Sequence, residues 1–217
     1  MKQMIFFLAA VAIAISACKS NTNSALPILG NREAVTKTVG GKTVTDTVYQ
    51  TIPAFKFVNQ YGDSITDKSL NGKIYVADFF FTSCPSICPT MHRNMLNVYQ
   101  EFKNISDFKI LSHSIDPKYD SVAVMKKYAD KLGISGQCWW FLQGKKEETY
   151  KLATSYLSMA AEDKAAAGGY VHDGYFILID KQKHIRGTYD GTNADQVTKL
   201  IADIKTLQAE PDQSMAQ

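Results

Sequence analysis

Two cysteines four positions apart, Cys84 and Cys88, stand in "FFFTSCPSICPTMH", residues 79 to 92, directly after an aromatic run. At this spacing a thiol pair can be a disulfide redox switch, a metal clamp or a structural pair. Pro89 has no N–H and disfavours the α region for its predecessor, so a regular helix is expected to begin at Pro89. Cys88 then lies near the N-cap and Cys84 on the preceding loop. The positive end of a helix dipole favours thiolate over thiol, so both thiols are expected to be acidic.

Spacing separates these chemistries only partly. A thiol-disulfide oxidoreductase normally places two residues between its cysteines, and here there are three, Pro85, Ser86 and Ile87. Covalent haem attachment needs C-x-x-C-H and is excluded. Structural zinc recruits four N or S ligands, and no second cysteine pair lies nearby. Two soft thiolates with one imidazole suit Cu(I) better. The chain offers four histidines. His172 lies beside a Gly-rich loop and before a strand. His92 is one helical turn past Cys88, although a solvated helix position is the simpler account of it. His113 sits inside a strand pattern and His184 in a turn. From spacing alone His172 and His92 stand level.

The compartment bears on the thiols. Lys2 precedes the apolar run "MIFFLAAVAIAISA", which ends at Cys18 in a context resembling a bacterial lipobox. The expectation is a signal over 1–17, a lipidated Cys18 as mature N-terminus, a polar disordered tether over 18–33, a folded domain over 34–208 and a flexible tail over 209–217. The domain is then held in the cell envelope, outside the cytoplasm, where Cys84, Cys88 and Cys138 meet oxidising conditions. Three is an odd number, and Cys138 beside Trp139 reads as a buried structural thiol. With 24 basic against 21 acidic residues scattered along the chain, nothing marks a nucleic-acid surface.

Around the cysteines the elements alternate. "AVTKTVGGKTVTDTVY" alternates Val and Thr about Gly40-Gly41 and predicts a β-hairpin extension, and "AFKFVNQYGDSIT" repeats the device. "IYVADFFF" and "FKILSHSI" read as buried parallel strands. Between them Met91, Met95, Val98, Tyr99 and Phe102 form one helical stripe, on which an exposed Met91 could assist metal capture. "DSVAVMKKYADKLG" predicts a second helix and "QCWWFLQG" a further strand. A helix over about 145–158, the loop "EDKAAAGGY", an antiparallel hairpin from "YFILID" and "HIRGTYD", and a closing helix through Val197 to Leu207 follow. This order, with a cysteine pair after an early strand, describes an α/β, thioredoxin-like architecture.

Taken together, "DFFFTSCPSICPTM", "SIDPKYDS", "WWFLQG" and "VHDGYFILID" resemble, in this order, the Sco (SenC) family of copper-handling proteins involved in cytochrome c oxidase assembly. The resemblance covers nearly the whole domain. It implies a thioredoxin-like fold with an inserted hairpin and copper held by Cys84, Cys88 and His172. It also implies an oxidase copper-site subunit or another cuproprotein as acceptor and a thiol reductant protein as partner. The family commonly has an acid before that histidine, whereas Val171 stands here and Asp173 follows. The reading is a membrane-tethered copper chaperone. Its rival is a thiol-disulfide oxidoreductase acting through Cys84 and Cys88, with Cys84 as nucleophile, that keeps the oxidase cysteines reduced. A peroxide-reducing enzyme is disfavoured because no Thr-to-Cys peroxidatic constellation stands out.

Overall fold

The computed structural model describes residues 25–211. The expected signal, Cys18, the first part of the expected tether and residues 212–217 lie outside the described residues. Among the described residues no helix is long and apolar enough to cross a membrane.

The run "IYVADFFF" forms β5 (Ile74–Phe80), and every residue of it is buried. It pairs in parallel with β6 (Phe108–Ser114), which pairs in parallel with β7 (Trp139–Gln143). These are the buried parallel strands that continuous apolar runs announce. Antiparallel strands complete a seven-stranded mixed sheet. β3 (Lys56–Asn59) and β4 (Ser64–Thr66) flank β7, while β10 (Tyr175–Ile179) and β11 (Ile185–Asp190) flank β5. The helices are α1 (Cys88–Phe102), α2 (Val122–Lys131), α3 (Lys146–Ser155) and α4 (Ala194–Ala209).

Side-chain alternation assigns the two sheet faces. Asp78 and Phe80 of β5 face α1 and α2, where His92 and Tyr128 meet Phe80 and Phe141. α4 packs beside α1 on this side. Tyr75 and Phe79 point the other way, to Tyr156 at the end of α3 and to His113. The carboxyl ends of β5 and β6, where ligands gather in α/β sheets, form one pole of the molecule.

Two hairpins lie outside the main sheet. The predicted extension is β1 (Arg32–Val39) with β2 (Lys42–Tyr49), eight cross-strand pairs around Gly40 and Gly41, both at positive φ. The inserted hairpin is β8 (Ala160–Glu162) with β9 (Tyr170–His172). His172 therefore closes β9 rather than merely preceding β10.

Three expectations are corrected. His92 is not a solvated helix position but fully buried, and Met91, expected as an exposed residue that could assist metal capture, is fully buried too. Residues 26–29, within the stretch read as tether, are docked at the pole opposite the cysteines. Leu29 bridges Ile185, and Leu26 packs on the core and donates its N–H to Glu210. There Arg186 is buried against Asp180 and Glu210 and also donates to the Leu26 and Pro27 carbonyls. Glu210, read as part of the flexible tail, is thus held in this ionic cluster just past the end of α4.

Candidate metal and thiol centre

β5 delivers the chain to the pole, a loop over 81–87 carries Cys84, and α1 opens at Cys88 with Pro89 in its first turn, where the missing N–H costs nothing. Both residues are buried, Cys84 being 7% exposed and Cys88 1%, so Cys84 is the less covered of the two. β9 brings His172 from 84 residues away to set Nε2 3.2 Å from Cys88 Sγ. The two Sγ atoms and a histidine nitrogen all lie within 4.8 Å of one another, as the sole three-donor cluster of His, Cys, Asp or Glu found among the described residues.

The histidine is oriented from behind. Its Nδ1 lies 2.8 Å from the Asp173 carbonyl oxygen, an acceptor, so Nδ1 carries a proton and Nε2 is the nitrogen turned to the sulfurs. The Asp173 carboxylate accepts from Ser158 Oγ at 2.6 Å and from the Met159 N–H at 2.8 Å, tying the end of β9 to the start of β8. A backbone carbonyl thus orients His172, and the Asp173 carboxylate braces the turn.

The cysteines are not equivalent, which corrects the expectation that both would be acidic. The hydrogen bond from the Cys88 thiol holds Cys84 well below the usual thiol range against burial, with help from His172, Ser86 and the Cys88 N–H. Cys88 is pushed up by the same bond and by its own burial. The pair shares one proton, with Cys84 as thiolate. Burial lowers His172, but the Cys84 thiolate and the Asp173 carbonyl outweigh it, so the imidazole ends above its ordinary value. A soft cation that displaces the shared proton meets two thiolates and one neutral imidazole, the donor set that suits Cu(I).

Cys138 is buried at 5% exposure, lies 3.8 Å from the Phe102 carbonyl and is pushed up to about 11 by burial, which makes it inert. Cys84, Cys88 and Cys138 are all unpaired thiols.

Two networks under the site escaped the sequence reading. His92 donates from Nε2 to Asp78 at 3.1 Å and accepts at Nδ1 from Tyr128 at 2.8 Å, while Asp78 also accepts from Ser112, which accepts from Trp139 Nε1. The available signal was a lone acid in the apolar run "IYVADFFF". The other is Asp120, fully buried beneath the cysteine loop. His113, also fully buried, has no hydrogen-bond partner on either ring nitrogen, and burial lowers it to about 4. His184 lies at the opposite pole beside Asp180.

The family profile described as SCO1/SenC matches residues 44–209. The chain belongs to the SCO1/SenC family. It is 29% identical over 170 residues to a SCO1 protein homolog of Bacillus subtilis (strain 168), covering 77% of this chain and 88% of that one. A SCO1/SenC family lipoprotein of Bacillus anthracis str. Ames superposes with a TM-score of 0.67 at 30% identity, over 73% of this chain and 95% of that one. BsSco, a Sco family member among cytochrome c oxidase assembly proteins in which a disulfide switch was identified, superposes at 0.65 with 27% identity, over 74% and 95%. Copper-bound ScoI of Bradyrhizobium japonicum does so at 0.58 with 26% identity, over 69% and 97%. The thioredoxin-like SCO1/SenC fold is therefore the fold of this chain, with its Cys84, Cys88 and His172 cluster at the pole described above.

Proposed function

We propose that this protein is a copper chaperone of the cell envelope, tethered through a lipidated Cys18, that holds copper through Cys84, Cys88 and His172. It passes the metal to the binuclear copper site of a cytochrome c oxidase subunit. One observation carries the reading: two thiol sulfurs and an imidazole nitrogen converge, with the imidazole held by its Nδ1–H donating to the Asp173 carbonyl. Copper-bound and oxidase-assembly relatives support it. Transfer proceeds by ligand exchange. His172, on the short hairpin, releases first, and the acceptor's thiolates replace Cys84 and then Cys88. Oxidation of both cysteines by a partner disulfide, which is reduced to two thiols, closes the site until a thiol reductant protein reopens it.

The test is copper titration of reduced protein lacking residues 1–17, compared with Cys84→Ala and His172→Ala. The reading requires one tight copper per chain, weakened about 100-fold or more in both variants. Wild-type affinity and spectrum in His172→Ala would overturn it.

The asymmetry of the pair favours a second reading, a thiol-disulfide oxidoreductase that keeps the oxidase cysteines reduced. Cys84 thiolate attacks a partner disulfide, one partner thiol leaves, and Cys88 resolves the mixed disulfide to free the other. This activity survives loss of His172, whereas copper donation does not.

A further inference from the structure

The cysteine loop is held from below by a group outside the donor set. Asp120, from the segment between β6 and α2, is fully buried. It accepts the Thr82 N–H at 3.1 Å on Oδ2, the Thr82 hydroxyl on Oδ1, and the Ser114 hydroxyl at 2.5 Å. Ser114 Oγ in turn accepts the Asp116 N–H, and Asp120 donates its own N–H to the Asp116 carbonyl, so the acid sits in a closed turn. All these side-chain partners are neutral donors. A buried carboxylate without a cation is a stability liability, and such liabilities concentrate where geometry is used.

Thr82 lies two residues beyond β5 and two before Cys84. We propose that Asp120 is a positioning residue for the metal site, pinning Thr82 so that the cysteine loop and the histidine hairpin register on each other. The proposal deepens the copper reading and rests on it. Pinning Thr82 also pins its neighbour Phe81, on which the hairpin rests. The Phe81 ring lies 5.1 Å from Tyr170 and 6.0 Å from His172. Gly168, in the hairpin's connection, comes so near that an added Cβ would meet the Phe81 ring at 2.8 Å and Pro85 at 3.2 Å. Through Thr82 and its neighbour Phe81, Asp120 therefore reaches the supports of both Cys84 and His172.

The test uses Asp120→Asn and Thr82→Val in the reduced protein. In Asp120→Asn one acceptor oxygen becomes an NH2 facing donors. In Thr82→Val the hydroxyl contact is lost while the loop's N–H bond remains. Copper affinity is expected to fall about 10- to 100-fold in Asp120→Asn and by less, in the same direction, in Thr82→Val, each with a shifted thiolate-to-Cu(II) absorption band. A distant core variant, Leu207→Ala, destabilises the fold but should keep the wild-type band, which separates positioning from mere loss of stability. Wild-type affinity and band in a folded Asp120→Asn overturn the proposal. If that variant does not fold, Thr82→Val with a wild-type band and affinity overturns it. The equilibrium of the Cys84–Cys88 pair with glutathione is measured in parallel. Wild-type protein that binds no copper defeats the copper reading, and an unchanged thiol equilibrium in Asp120→Asn then defeats the positioning role as well. A shifted equilibrium in that case leaves the positioning role standing.

Discussion

The two hairpins outside the main sheet invert the usual relation between regularity and importance. β1–β2 has eight cross-strand pairs, yet none of its strand residues is buried, and Val39 is 64% exposed. Its base is held by the Gln50 N–H to Asn31, by Gln50 to the Ser155 carbonyl and by an edge contact of Tyr49 with His184. β8–β9 has three pairs and supplies His172. A two-stranded ribbon is marginal in water, so length does not make the first hairpin rigid. The second gains its order from what it sits on, namely Phe81, Pro85 and the bonds of Asp173. Local hydrogen bonds write the long hairpin, and tertiary seating makes the short one functional.

The largest effect should come from unseating β9. Gly168 has φ +80 and no room for a Cβ. Gly168→Ala is expected to weaken copper binding about 10- to 100-fold, close to the loss of a supporting contact around a metal, while the fold survives thermal melting. An affinity within twofold of wild type would show that the seat on Phe81 does not matter.

Acid probes the core beneath the seat. His113 is buried neutral against Phe55, Phe57, Phe79 and Tyr156, and the chain after Tyr156 leads into β8. Its folded value of about 4 lies below the unfolded 6.5, so the unfolded chain binds more protons between these values. Stability is complete above about pH 6.5 and falls as the pH drops through the window, by up to about 3 kcal/mol. Urea unfolding of wild type and His113→Phe at several pH values checks this. Equal slopes in the two proteins would remove His113 as the cause.

Thiol chemistry should report the same polarity. Iodoacetamide at neutral pH is expected to modify Cys84 first, with Cys138 unreacted until the protein unfolds, because burial holds Cys138 at about 11. Peptide mapping after brief exposure decides it, and early labelling of Cys138 would contradict its burial.

The smallest effect should come from removing the long hairpin. Asn31 and Gln50 are already hydrogen-bonded at its base, so a two-residue Gly-Ser link can replace Arg32–Tyr49. Copper affinity is expected within twofold of wild type and stability within about 1 kcal/mol. A tenfold loss of copper would make this hairpin part of the site after all.

Legibility followed the same divide. The buried strands, the α1 stripe, the α4 face and the Gly40-Gly41 turn were readable because each is a period or a turn signal within one contiguous segment. The burial of His92 was not, since its place one turn past Cys88 says nothing of Asp78 on the strand below. The docking of residues 26–29 was hidden for a similar reason. Polar composition suggested a tether, whereas Arg186 and Glu210, more than 150 residues away, satisfy its backbone groups. The unequal cysteines also escaped, because a shared proton depends on the distance between sulfurs in a folded loop.

By itself the sequence determined that two thiols would stand on a loop and at the head of a helix at the end of a buried strand, because strand, Pro89 and cysteines lie within one short stretch. Which imidazole joined them was decided by the tertiary structure. His92 is near in sequence but is drawn into the core by Asp78 and Tyr128, and His172 is remote but is carried in on a three-residue strand that packs against Phe81.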